Sequence, residues 1–125
     1  MKKKKKERKT IRIGVGDATN TAKGFIEAWK RAERGERAET EERLHFENLE
    51  TLLRTLTQGR WVLLKTLREK GPMSVRALAK ELRRDYKNVH TDVRLLVQIG
   101  LIERNKDNKV EVPWDSIEAR LRLAA

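Results

Sequence analysis

Between Ser74 and Val112, helix, turn and strand signals follow one another without a gap, and this stretch constrains the fold more than any other. Ser74 is suited to cap a short helix on which Val75, Leu78, Ala79 and Leu82 share one face, with Arg76, Lys80 and Glu81 outside. Arg83-Arg84-Asp85 forms a turn, and Asp85 caps a longer helix from Tyr86 to Ile99 that Gly100 closes in the left-handed conformation such ends favour. At about 100° per residue, turning Val89 inward brings Val93 and Leu96 to the same side. Lys87, Thr91, Arg94 and Gln98 then face outward, flanked by Asn88 and His90. Leu101-Ile102-Glu103-Arg104 and Lys109-Val110-Glu111-Val112 follow as two β-prone runs around Asn105-Lys106-Asp107-Asn108, which is rich in turn formers.

The chain upstream is more varied. Thr10 to Val15 alternates apolar and polar residues and predicts a short strand ended by Gly14 and Gly16. From Thr21 to Glu33 the spacing becomes helical, with Phe25, Trp29 and Ala32 on one side, and Gly35 stops it. Residues 36–43 are almost wholly charged and small, and read as a linker or an exposed helix extension. Leu44 to Phe46 suit a second strand. Asn48 is placed to cap a helix carrying Leu49, Leu52, Leu53 and Leu56, and Thr57 to cap a strongly apolar helix through Trp61-Val62-Leu63-Leu64 and Leu67. Gly71-Pro72 ends that helix. After Pro113 and Trp114, Asp115-Ser116 reads as a capping start, with Ile117 and Leu121 at helical spacing.

The +11 charge is concentrated in two places. Residues 1–9 carry seven Lys/Arg against one acid, and residues 57–112 carry thirteen against seven, whereas the rest of the chain is nearly balanced. A surplus of this kind favours a polyanion as partner without choosing among DNA, RNA and anionic lipid. Lys2 to Lys6 read either as a disordered arm on phosphates or as a solvated tail. No apolar run of signal-peptide or membrane-span length occurs, so a soluble, cytoplasmic protein is expected. Without cysteine there is no disulfide, thiolate metal site or cysteine nucleophile.

An outward row of Lys, Asn, Thr and Arg matches base edges in chemistry: Lys or Arg for guanine, Asn for adenine, Thr for a thymine methyl or a phosphate. Two helices joined by a short turn, the second bearing that row and followed at once by a basic hairpin, are the sequence signature of a winged helix-turn-helix. Asp85-Tyr86-Lys87-Asn88-Val89-His90, with Asp92-Val93 and Gly100-Leu101-Ile102-Glu103-Arg104, resembles the MarR-like winged-helix regulators, and is most similar to small prokaryotic members encoded beside toxin genes. The resemblance covers residues 44–113, and Ala28-Trp29-Lys30-Arg31-Ala32-Glu33-Arg34-Gly35-Glu36 looks like the front segment of the same proteins. It implies a DNA-binding antitoxin that neutralises the toxin and represses their shared operon. The chain departs from larger MarR-type regulators in lacking long dimerisation helices on both sides.

The resulting expectation is a mainly α fold with a small β wing. A basic arm (1–9), a strand-helix accessory segment with linker (10–43), a winged helix-turn-helix (44–113) and a C-terminal helix (114–125) follow in order. The residues expected at DNA are Ser74, Arg76, Arg84, Tyr86, Lys87, Asn88, His90, Thr91, Arg94, Arg104, Lys106 and Lys109. Ile11, Ile13, Phe25 and Trp29 are expected to meet a toxin partner, with packing on the winged helix or across a homodimer as the alternative for Phe25 and Trp29. No enzyme, metal or cofactor is expected: His45 and His90 lie far apart with no carboxylate pair at ligand spacing, and Gly14-Val15-Gly16 lacks the rest of a nucleotide loop. The alternatives are an operon repressor without a toxin, and a winged-helix module for RNA or protein.

Overall fold

Seven residues of alternating character, Lys9–Val15, form strand β1, and its neighbours on both sides come from distant parts of the chain. A computed structural model describes residues 9–16, 40–121 and 123. The chain divides into two compact units, one made by residues up to Leu53 together with Trp114 onward, the other by Arg54–Pro113.

In the first unit β1 lies between β2 (Thr40–Phe46) and a C-terminal strand, Ser116–Ala119, which we number β5 in chain order; both pair with it in parallel. Ile11 stands beside Glu42 and Ile117, and Ile13 beside Leu44 and Ala119. Ile11 and Ile13, two residues apart, are almost wholly buried, with 2% and 4% of their surface exposed. The β1–β5 register is pinned by polar contacts: Lys9 N donates to Asp115 Oδ2 at 2.9 Å, Asp115 N donates to Lys9 O at 2.8 Å, and the Thr10 and Ser116 hydroxyls lie 3.0 Å apart. Arg12 pairs with Glu118 at 3.1 Å. Gly16, at φ +89°, turns the chain off β1 and donates its amide to Phe46 O.

Three expectations change here. The helix expected over 114–125 does not start at Asp115-Ser116, because Ser116–Ala119 is a strand. The Ile117–Leu121 spacing suits a helix face and an alternating strand equally, and the hydrogen-bonding edge of β1 decides between them. Glu41, Glu42 and Arg43 are not linker but part of β2, which pairs with β1 alone and is an edge strand among the described residues, a place where charged residues are tolerated. The protein is therefore mixed α/β rather than mainly α. The expected strand over 10–15 and the strand ending at Phe46 are present, while the helix over 21–33 lies outside the described residues.

Helix α1 (Leu49–Thr55) is capped by Asn48, whose Oδ1 accepts from Thr51 N at 2.8 Å. In the second unit α2 (Gln58–Lys70), α3 (Val75–Leu82) and α4 (Tyr86–Gln98) follow, each with a side-chain cap: Thr57, Ser74 and Asp85. Leu63, Leu67, Leu78, Val89, Val93 and Leu96 are fully buried and join Leu101, Ile102 and Val110 in one apolar core. Burial of each such side chain contributes about 1.5–3 kcal/mol. Trp61 and Val62 of the apolar α2 run stay partly exposed. Strands β3 (Glu103–Arg104) and β4 (Val110–Glu111) form an antiparallel hairpin, and Val110 also exchanges both backbone hydrogen bonds with Met73, just ahead of α3. Among the described residues no helix is long and apolar enough to cross a membrane.

Candidate nucleic-acid interface

The chain enters α4 through a three-residue turn, Arg83-Arg84-Asp85. Arg83 takes the left-handed conformation at φ 54° and donates its amide to Lys80 O, and Arg84 N donates to Ala79 O. Asp85 then starts α4 by accepting from Asn88 N. With Val89, Val93 and Leu96 in the core, helical geometry leaves Lys87, Asn88, Thr91, Arg94 and Gln98 exposed as expected, with His90 half-buried beside them. The Thr91 hydroxyl donates to Lys87 O at 2.9 Å, which leaves its methyl and its oxygen lone pairs for a partner.

At the start of α3 Ser74 is exposed, and its hydroxyl accepts from Ala77 N. Arg76 lies over the Tyr86 ring, its guanidinium carbon 4.7 Å from the ring centroid, and the His90 ring stands 5.8 Å from Tyr86 at a tilt of 41°. The first turns of α3 and α4 thus meet through a short stack of side chains.

Beyond α4, Gly100 at φ +89° turns the chain into the hairpin. Its tip is ordered by Asn105, whose Oδ1 accepts from Asp107 N at 2.9 Å and Lys109 N at 3.1 Å. Asn108 closes the loop in the left-handed region, which Asn tolerates. Arg104, Lys106 and Lys109 project from this tip and are exposed.

Arg84 differs from the other expected contacts. Its Nη2 donates to Asp92 Oδ2 at 2.8 Å, while Arg60 Nε donates to the other oxygen at 3.0 Å and Arg60 Nη1 caps Thr55 O at 2.8 Å. Asp92, only 9% exposed, therefore ties together the end of α1, the start of α2, the turn and α4. Arg84 is a strut of that turn and not a free cation. The sequence carried a signal for this cluster: Asp92 falls three residues after Val89 and four before Leu96, a carboxylate in an apolar stripe, and a buried charge demands a partner. Its partners are 32 and 8 residues away, so the pattern alone does not name them.

By contrast, Arg76, Lys87, Arg94, Arg104, Lys106 and Lys109 share no ion pair with a carboxylate among the described residues. Among those residues no group of three or more His, Asp or Glu is placed to hold a metal ion. Ile11 and Ile13, expected to meet a partner, are buried in the central strand of the sheet, and Phe25 and Trp29 lie outside the described residues.

The family model HVO_A0114 matches residues 55–119, just over half of the chain. The chain belongs to the HVO_A0114 family. The matched span contains the Asp92 cluster, both helices of the α3–α4 pair and the hairpin, and it ends with the last residue of β5. No curated protein matches the chain.

Proposed function

We propose that this protein is a sequence-specific binder of double-stranded DNA and a transcriptional regulator, with α3 and α4 as a helix-turn-helix and the β3–β4 hairpin as its wing. The observation that carries the reading is the exposed row Lys87, Asn88, Thr91 and Arg94 on α4, together with Arg104, Lys106 and Lys109 exposed on the hairpin. These cations lack carboxylate partners among the described residues, whereas Arg60, Lys70 and Arg84 each have one. Unneutralised cations around a helix with donors and a methyl on its outer face suit phosphates and base edges together. The α4 row would read the major groove and the hairpin tip would meet phosphates or the minor groove.

A single reading helix covers few base pairs, so action as a homodimer on half-sites about 34–36 Å apart belongs to the same proposal. Within it, the toxin-neutralising role implied by the MarR-type resemblance falls to Phe25 and Trp29, because Ile11 and Ile13 are committed to the sheet.

The test is selection from a random duplex library by the full-length protein, followed by fluorescence anisotropy across a salt series. A recovered consensus bound at least about 10³-fold tighter than random duplex supports the reading. Equal affinity for both, or equal competition by duplex RNA, overturns it.

A further inference from the structure

The Arg76–Tyr86–His90 stack is not required by the fold: Arg76 and Tyr86 are exposed and none of the three belongs to the apolar core. A guanidinium over a ring is held by the attraction of the ring face, while the edge carrying those of its five N–H donors not aimed at the ring stays available. Arg76 has neither an ion pair nor a hydrogen bond among the described residues, so that edge is unspent. It sits in the first turn of α3, the helix that would cross the DNA backbone, not on the α4 face that would read bases.

We propose that Arg76 is a phosphate clamp and that Tyr86 is its positioning residue. The Tyr86 ring holds the guanidinium in place before DNA arrives, and His90, one turn further along α4, braces the ring. Fixing a long side chain in its bound geometry in advance reduces the entropy lost on binding. The ring, not the phenol hydroxyl, carries the effect. This inference rests on the DNA-binding reading above.

Because a phosphate clamp is blind to sequence, the full-length protein is titrated with a fluorescein-labelled random-sequence 30-base-pair duplex across a salt series. Arg76→Ala is expected to weaken binding about fivefold or more and to reduce the slope of log affinity against log salt by about 0.9. Tyr86→Leu, which removes the ring, is expected to cost about two- to fivefold, the range of an exposed cation–π contact. Tyr86→Phe keeps the ring and should bind within about 1.5-fold of wild type. Adding Tyr86→Leu to Arg76→Ala should cost nothing further, since the clamp is already gone. Melting curves confirm that each variant folds, and the Tyr86→Phe rescue is a readout that a general loss of structure would not produce. If the wild type binds duplex but Tyr86→Leu matches it, or the two single effects add in full, the positioning role is overturned while DNA binding stands. A wild type that does not bind duplex overturns both.

Discussion

Replacing Asp92 by alanine removes the one acceptor that two guanidiniums share, and the structure sets the size of the effect. Arg60 and Arg84 each donate to a separate carboxylate oxygen, at 3.0 and 2.8 Å. Breaking a buried ion pair by deleting one partner costs about 3–5 kcal/mol, because the remaining charge is left without compensation. Here the Arg60 and Arg84 side chains keep 20% and 33% of their surface in water, so some hydration returns and about 2–3 kcal/mol is expected. For a unit of this size that corresponds to a drop in Tm on the order of 10–20 °C. The assay is urea denaturation of the full-length chain followed by circular dichroism, with Arg84→Ala and the double variant completing a cycle. The double variant should be less destabilised than the sum of the singles by about 1–2 kcal/mol, since removing Asp92 also removes the reason to keep Arg84. A loss below about 0.5 kcal/mol for Asp92→Ala, or strictly additive singles, would refute the view that this cluster fixes the turn before α4.

Arg94→Ala should cost about 1–3 kcal/mol at one base position of a selected duplex and little at the others, read by anisotropy on single-base variants; a uniform loss would make Arg94 a phosphate contact. Replacing Arg104, Lys106 and Lys109 by glutamine should flatten the salt dependence by up to about 0.9 for each phosphate no longer neutralised, while leaving the consensus in place. Deleting residues 2–8 removes six cations and one acid and spares Lys9, which is part of β1; a shallower salt slope identifies a working arm, and an unchanged slope identifies a solvated tail. Ala119→Val tests β5 by its sign: this exposed strand position should gain up to about 0.5 kcal/mol of stability, whereas a helix there would lose a similar amount.

Every helix of the described chain was legible as local chemistry. Asn48, Thr57, Ser74 and Asp85 each cap a helix, and Gly71 and Gly100 take positive φ where a helix ends. Val89, Val93 and Leu96 are buried because periodicity within thirteen residues dictates which face is apolar, and the exposure of Lys87, Asn88, Thr91 and Arg94 follows from the same count. Capping and helical spacing act over three or four residues, so a single sequence displays them in full. The parts that needed tertiary structure all depend on partners far along the chain. Ser116–Ala119 became a strand because β1 offered it a parallel edge 106 residues away. Glu41 to Arg43 became strand on the opposite edge for the same reason, against their polar composition. Asp92 announced itself as a charge in an apolar stripe, yet only the packing of α2 and the turn onto α4 supplied Arg60 and Arg84. The sequence by itself determined the helices, their caps, the outward face of α4 and the strands at 10–15 and up to Phe46, whereas tertiary packing alone decided their parallel pairing, the strand Ser116–Ala119 and the ion cluster, because pairing between distant segments leaves no local period to read.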